Sequence, residues 1–216
     1  MKLKALLFDL DGTLINSIPL ITWSFQKTFE YFGLPWRNGE VLKTIGIPLR
    51  EVAERYMPGR AGEFIEKYTL FQREKHMNYI KPYPGTAETM EFIKNCGYCT
   101  AVVTSKRKSP ALKDLEITGL DKYFDITVAV EDVSRPKPDP EPVLKALALL
   151  NIKPGNALFV GDSWYDIMSG RQAGVATVGV TWGMASRGEL VEKKAQLVVD
   201  SWQELINHLK LIKKAN

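Results

Sequence analysis

The chain has 216 residues, enough for one large domain or two modest ones with a sizeable core. Apolar residues make up 45% and charged residues 25%, a balance that excludes disordered and fibrous classes. No apolar run is long enough to cross a bilayer, the first residues lead directly into a strand, and the net charge of +4 is spread along the chain apart from the basic stretch 210–214. A cytoplasmic protein with no membrane or nucleic-acid partner is therefore expected.

The first predicted element is a strand in Lys4 to Leu14 (Lys-Ala-Leu-Leu-Phe-Asp-Leu-Asp-Gly-Thr-Leu). Its apolar run, Ala5 to Phe8, has no polar alternation, as in a parallel strand buried on both faces. The run stops at Asp9 and Asp11, and Gly12 and Thr13 break it. Two carboxylates at a strand end carry a desolvation cost that a cation or a reaction would offset.

Residues 17–80 change character. Ser17 and Pro19 mark a helix start; Ile21, Phe25, Phe29 and Phe32 follow at helical spacing until Gly33 and Pro35 end the helix. Shorter helical pieces fit 39–44 and 49–57, and a longer one fits 61–79 with Phe64, Tyr68 and Phe71 on one face. No strand pattern occurs in this block, which closes at the turn-rich Lys81-Pro82-Tyr83-Pro84-Gly85.

Strands and helices then alternate: helix 86–95 with Thr86 as its cap, strand 99–103, helix 109–117, strand 126–130, helix 140–150, strand 157–160, helix 164–173, strand 175–180 and helix 201–212. Five apolar strands separated by helices predict an α/β fold with a doubly wound parallel sheet. The gap between the first two strands far exceeds a crossover, so a core formed by 1–16 and 81–216 is expected to carry an inserted all-α domain at 17–80. Cys96 and Cys99 form a C-x-x-C pattern, but two further metal ligands are missing and His76 and His208 are distant in sequence. Two small buried thiols are the expected reading.

Parallel strands point their carboxyl ends to one edge of the sheet. The residues that follow those ends are Asp9 and Asp11, then Thr104 and Ser105, then Lys137, then Asp162 and Asp166. Each group alone has a plain reading: a turn or calcium loop, an ordinary loop, a solvated lysine, a helix cap. Together, carboxylates with no nearby His or Cys suit a hard cation such as magnesium. The hydroxyls, amides and lysine suit phosphate oxygens. Gly12 lets the chain turn so that both early aspartates reach one substrate. Asp9 can then attack phosphorus while Asp11 carries the proton.

At this point the chain resembles the haloacid dehalogenase superfamily of phosphohydrolases over nearly its whole length. Asp9-Leu10-Asp11-Gly12-Thr13-Leu14 resembles the first motif, Val103-Thr104-Ser105-Lys106 the second, Lys137-Pro138-Asp139-Pro140 the third, and Val160-Gly161-Asp162-Ser163 through Asp166 the fourth. The inserted block resembles the helical cap of the first subclass. Read from the residues, Lys137 would hold Asp9 and the transferring phosphoryl oxygens; the resemblance implies Asp9 as nucleophile, Asp11 as acid/base, and Thr104 with the Ser105 amide on phosphate. It also implies a Mg2+ site made by Asp9, the Asp11 carbonyl, Asp162 and Asp166. Ser105 stands where asparagine is frequent.

Gly46-Ile47-Pro48-Leu49-Arg50-Glu51 and Lys137-Pro138-Asp139-Pro140-Glu141-Pro142-Val143 are similar to the phosphoglycolate phosphatase branch, and residues 99–107 and 131–182 to its bacterial pyrophosphatases. This implies a phosphatase acting on a small anionic phosphorylated substrate, phosphoglycolate first and pyrophosphate second. Arg50 would meet the distal anionic group. A β-phosphoglucomutase-like phosphotransferase and a catalytically silent regulatory module are the alternatives. Trp23, Trp36 and Trp182 are candidates for pocket walls, with core packing the simpler role. A monomer or homodimer is expected.

Overall fold

The computed structural model describes residues 2–214. A sheet of six parallel strands lies at its centre in the order β3-β2-β1-β4-β5-β6. The strands are β1 (Ala5–Phe8), β2 (Cys99–Val103), β3 (Ile126–Val128), β4 (Ala157–Gly161), β5 (Ala176–Val180) and β6 (Leu197–Val199). The sequence predicts the first five. β6 pairs with β5 at the sheet edge and, with three residues, is too short to show a period.

β1 is buried at every residue, as its unbroken apolar run predicts. Its side chains alternate between two layers. Ala5 and Leu7 join Ala101, Val103 and Phe159 on one face; Leu6 and Phe8 join Val102, Val160 and Val178 on the other. Fully burying each Leu or Phe stabilises the sheet by about 1.5–3 kcal/mol.

The layers are completed by helices α4 (Thr86–Asn95), α5 (Lys108–Thr118), α6 (Glu141–Leu150), α7 (Trp164–Gln172), α8 (Arg187–Glu192) and α9 (Trp202–Lys214). Met90, Ile93, Leu115, Leu205 and Leu209 cover one face, and Val143, Ala146 and Leu147 the other. α8 was not foreseen, although its Ser186–Glu189 capping box is written in the sequence. Thr86 is not a cap. Gly85 takes that position in a left-handed conformation (φ 87), and the Thr86 hydroxyl donates to the Leu14 carbonyl at 3.3 Å.

The long connection between β1 and β2 contains α1 (Ile18–Phe32), a 3-10 segment (Arg37–Thr44), α2 (Leu49–Tyr56) and α3 (Ala61–Tyr79), with no strand, as expected. These elements share a core of Ile21, Phe25, Phe29, Val52, Phe64 and Tyr68. Gly33 ends α1 in the left-handed region (φ 64). The segment predicted as helix 39–44 is looser, because Asn38 (φ 54) and Gly39 (φ 79) leave helical geometry. Cys96 and Cys99 are free and partly exposed rather than buried. Among the described residues, no helix is long and apolar enough to cross a membrane.

The strand order has a functional consequence. β1 and β4 are neighbours at the point where the winding direction reverses, with Phe8 aligned between Val102 and Val160. Asp9 and Asp162 follow these two strands and so open onto the crevice where such sheets bind ligands.

Candidate active site

Asp9, Asp162 and Asp166 each place a carboxylate oxygen within 4.8 Å of the others. All three are buried. Lys137 enters this cluster from the segment between β3 and α6. Its ammonium donates to Asp9 Oδ1 at 2.7 Å, to Asp166 Oδ1 at 2.6 Å and to the Val103 carbonyl at 3.2 Å. Its three N–H groups therefore have three acceptors. Burial alone would lower the Lys137 ammonium; Asp166 and Asp9 outweigh it and keep it charged.

The charges do not cancel. Burial pushes the Asp9 carboxyl well above its ordinary range; Lys137 opposes this, while Asp166 and Asp162 add to it. Asp162 rises from 3.8 to about 7, through burial and then the Asp166 charge, against the Met184 amide and the Thr13 hydroxyl. One lysine among three buried carboxylates leaves excess negative charge, and hard oxygen donors at this spacing fit a divalent cation.

The local sequence explains how Asp162 is held. Thr13 donates to Oδ1 at 2.9 Å and the Met184 amide to Oδ2 at 2.8 Å. A Cβ on Gly12 (φ 87) or on Gly183 would collide with the Asp162 carboxylate, and one on Gly161 would collide with Asp166. These glycines are needed because backbone comes so close to the cluster. Trp182 fixes the same loop by donating from Nε1 to the Thr13 carbonyl at 3.0 Å. At the start of α7, the Ser163 amide donates to Asp166 Oδ2 at 3.0 Å.

Asp11 stands apart from that cluster. Its carboxylate accepts from Lys106 at 2.8 Å through Oδ1, and Lys106 also reaches Asp114 Oδ2 at 2.6 Å. Burial would lower Lys106, but Asp11 and Asp114 raise it above its usual range. Thr104 is buried at the end of β2, where its Oγ1 accepts from the Lys106 amide at 3.1 Å. The Ser105 hydroxyl is buried and has no partner among the described residues. It is a donor left unspent beside Thr104.

Arg50 is exposed in the first turn of α2. It lines neither of two surface clefts. One, of about 460 Å³, lies between α1 and the β5–α8 loop and is lined by Asn16, Thr22, Trp23, Gln26, Trp182 and Gly183 among others. The other, of about 470 Å³, lies within the insert around Arg37, Lys43, Arg55 and Tyr56. Trp23 and Trp182 thus combine cleft wall and core contact, while Trp36 packs edge-on against Phe29. Tyr83 lines the first cleft, and its phenol is pushed up to about 12 by burial, with Asp162 and Asp11 adding.

Sequence reasoning foresaw Asp9, Lys137, Asp162 and Asp166, which converge, and Asp11, Thr104 and Ser105, which line the adjacent strand ends. Thr13 and Lys106 stand within the first and second motifs, which by themselves do not show what either side chain holds. Asp114, His76 and the Met184 amide carried no local signal.

The haloacid dehalogenase-like hydrolase profile matches residues 6–180. Pyrophosphatase PpaX of Bacillus mycoides is 37% identical over 207 residues, covering 95% of this chain and 96% of its own length. Among solved structures, a predicted phosphoglycolate phosphatase from Haemophilus somnus superposes with a TM-score of 0.88 at 27% identity, covering 97% of this chain and 99% of that one. A predicted phosphatase from Clostridium acetobutylicum gives a TM-score of 0.86 at 29% identity, covering 99% and 100%. The profile spans all four strand-end motifs and the relative is aligned almost from end to end, so the chain belongs to the haloacid dehalogenase-like hydrolase family.

Proposed function

We propose that the protein is a magnesium-dependent phosphohydrolase acting through a covalent phosphate on Asp9. The observation that carries this reading is Asp9 itself. It is a buried carboxylate with Oδ1 held by Lys137, inside a three-carboxylate cluster of cation-binding size. Burial disfavours its ionised form in the bare cluster, so a nucleophilic carboxylate there calls for added positive charge. Asp9, the Asp11 carbonyl, Asp162 and Asp166 would hold the magnesium ion, whose charge would screen the repulsion between substrate and nucleophile.

In this reading the free oxygen of Asp9 bonds to phosphorus as the bond to the leaving oxygen breaks. Asp11 gives that oxygen its proton. Water then attacks the aspartyl-phosphate, Asp11 takes the proton from the water, and phosphate departs with Asp9 restored. The Thr104 hydroxyl and Ser105 bind the phosphoryl oxygens, and Lys137, which holds Asp9, places its positive charge beside them. The insert at 17–80 acts as a cap that excludes bulk water; a Cβ on its Gly46 would meet the Tyr165 ring of the sheet domain at 2.7 Å, which supports a docked position. Arg50, which pairs with no carboxylate among the described residues, is assigned to the distal anionic group.

The deciding experiment is Asp9→Asn with magnesium present. Phosphatase activity should fall by at least about 10⁴-fold, as when other nucleophiles are removed, with an unchanged circular dichroism spectrum. Normal turnover by that variant would sink the mechanism.

On substrate, a specific observation moves pyrophosphate ahead of phosphoglycolate: relatives 36–37% identical along almost the whole chain carry the pyrophosphatase name. Free phosphate released from pyrophosphate, phosphoglycolate and sugar phosphates, ranked by kcat/KM, separates these readings. Phosphate transferred to sugar instead of water would identify a phosphotransferase.

A further inference from the structure

A second chain of charged side chains, half-buried except for the fully buried Asp114, leads away from Asp11 and ends in the helical insert. Lys106 bridges Asp11 Oδ1 and Asp114 Oδ2. The remaining oxygen, Asp114 Oδ1, lies 2.6 Å from His76 Nε2. The Asp114 side chain has 0% exposure, against 12% for Lys106 and 13% for His76. A carboxylate buried so completely requires partners on both oxygens. It receives one from the loop after β2 and one from the end of α3.

That second partner belongs to the insert. Among the described residues, His76–Asp114 is the one side-chain hydrogen bond or ion pair joining the helices of the insert to the sheet domain. Tyr68, two turns earlier on α3, is buried close enough to Lys106 and Asp11 to feel both charges. The same helix therefore passes over the Lys106–Asp11 pair.

We propose that Lys106, Asp114 and His76 form a positioning relay that holds the Asp11 carboxylate in its working orientation while the insert is docked. The proposal rests on reading Asp11 as the proton carrier. Asp11 and Asp114 compete for one ammonium. With His76 in place, Asp114 is satisfied on both oxygens and Lys106 can hold Asp11. Without His76, Asp114 keeps a buried acceptor with no donor and draws the ammonium to itself, releasing Asp11. Asp114 and His76 act through Lys106 and touch no reacting atom.

The test compares His76→Ala, His76→Gln, Asp114→Asn and Asp11→Asn, with magnesium, on an alkyl phosphate and on 2,4-dinitrophenyl phosphate. The alkyl leaving oxygen needs a proton and the dinitrophenolate does not, so first-turnover rates isolate proton donation from binding. His76→Ala and Asp114→Asn should slow the alkyl ester about 10- to 100-fold and alter the dinitrophenyl ester by no more than about twofold. His76→Gln can donate the same hydrogen bond and should restore the alkyl rate. Equal slowing of both esters, or of neither, overturns the relay. Asp11→Asn separates the two levels. If it keeps alkyl turnover, the reading of Asp11 fails; if it alone loses that turnover, only the relay fails. Should Asp114→Asn not fold, the two His76 variants decide, because His76 lies at the edge of this chain of charged side chains.

Discussion

Two lysines flank the candidate active site, one buried and one half-buried, each shared between two aspartates, yet they are anchored differently. Lys137 takes all its partners from the sheet domain, and its side chain and those of Asp9 and Asp166 are exposed by only 1%, 7% and 1%. Lys106 holds Asp11, which is 16% exposed, and through Asp114 it reaches His76 on the insert. One ion-pair set is locked into close-packed interior; the other ends on an element joined to the core by few polar contacts. Under the function proposed above, the nucleophile would sit on the fully buried set, and the proton carrier on the set that reaches the insert.

Removing the lysines is the strongest way to break this comparison. Lys137→Met strands Asp9 and Asp166 in the interior with no other cation, and should cost about 3–5 kcal/mol of stability as well as turnover. Lys106→Met leaves Asp11 able to reach water and Asp114 still bonded to His76, so about 1–3 kcal/mol is expected. Denaturant titrations of both variants measure the difference. Equal losses would mean that the two lysines are anchored alike.

A smaller effect should come from the glycine cradle, which serves the Lys137 side only. A methyl group at Gly183 would displace the Asp162 carboxylate. Gly183→Ala should therefore weaken magnesium affinity by about 10- to 100-fold, as when a ligand loses its support, with a modest change in melting temperature. The magnesium dependence of turnover reads this directly. An unchanged magnesium response would show that Asp162 is not held by close backbone approach.

The same division explains what was legible in the sequence. The Lys137 side is written in short local signals. Apolar runs end at Asp9 and at Gly161-Asp162, and a lysine sits in a Pro-rich turn; the parallel sheet then gathers those ends at one edge. The Lys106 side runs beyond the strand ends: Asp114 lies within α5 and His76 on α3 of the insert, 38 residues apart. No spacing rule links them, so His76 reads as an isolated histidine and Asp114 as one more charge on a helix. β6 escaped notice for a different reason, since three residues at an edge cannot display a period. Thr86 misled because threonine favours caps, whereas here the turn needs a left-handed residue and Gly85 supplies it.

The bare cluster on the Lys137 side should also respond to pH. In the metal-free protein Asp162 titrates near 7 instead of 3.8, through burial and then Asp166. Between those values the folded protein holds a proton that the unfolded chain has released, so stability falls as pH rises across this window. A cation competes with that proton. Magnesium at about a hundredfold its Kd should add about 2.7 kcal/mol near pH 8 and markedly less near pH 5. Melting curves with magnesium and with chelator at both pH values test this. A magnesium-induced shift that is the same at both pH values would place the cation away from Asp162 and remove the contrast between the two lysine sites.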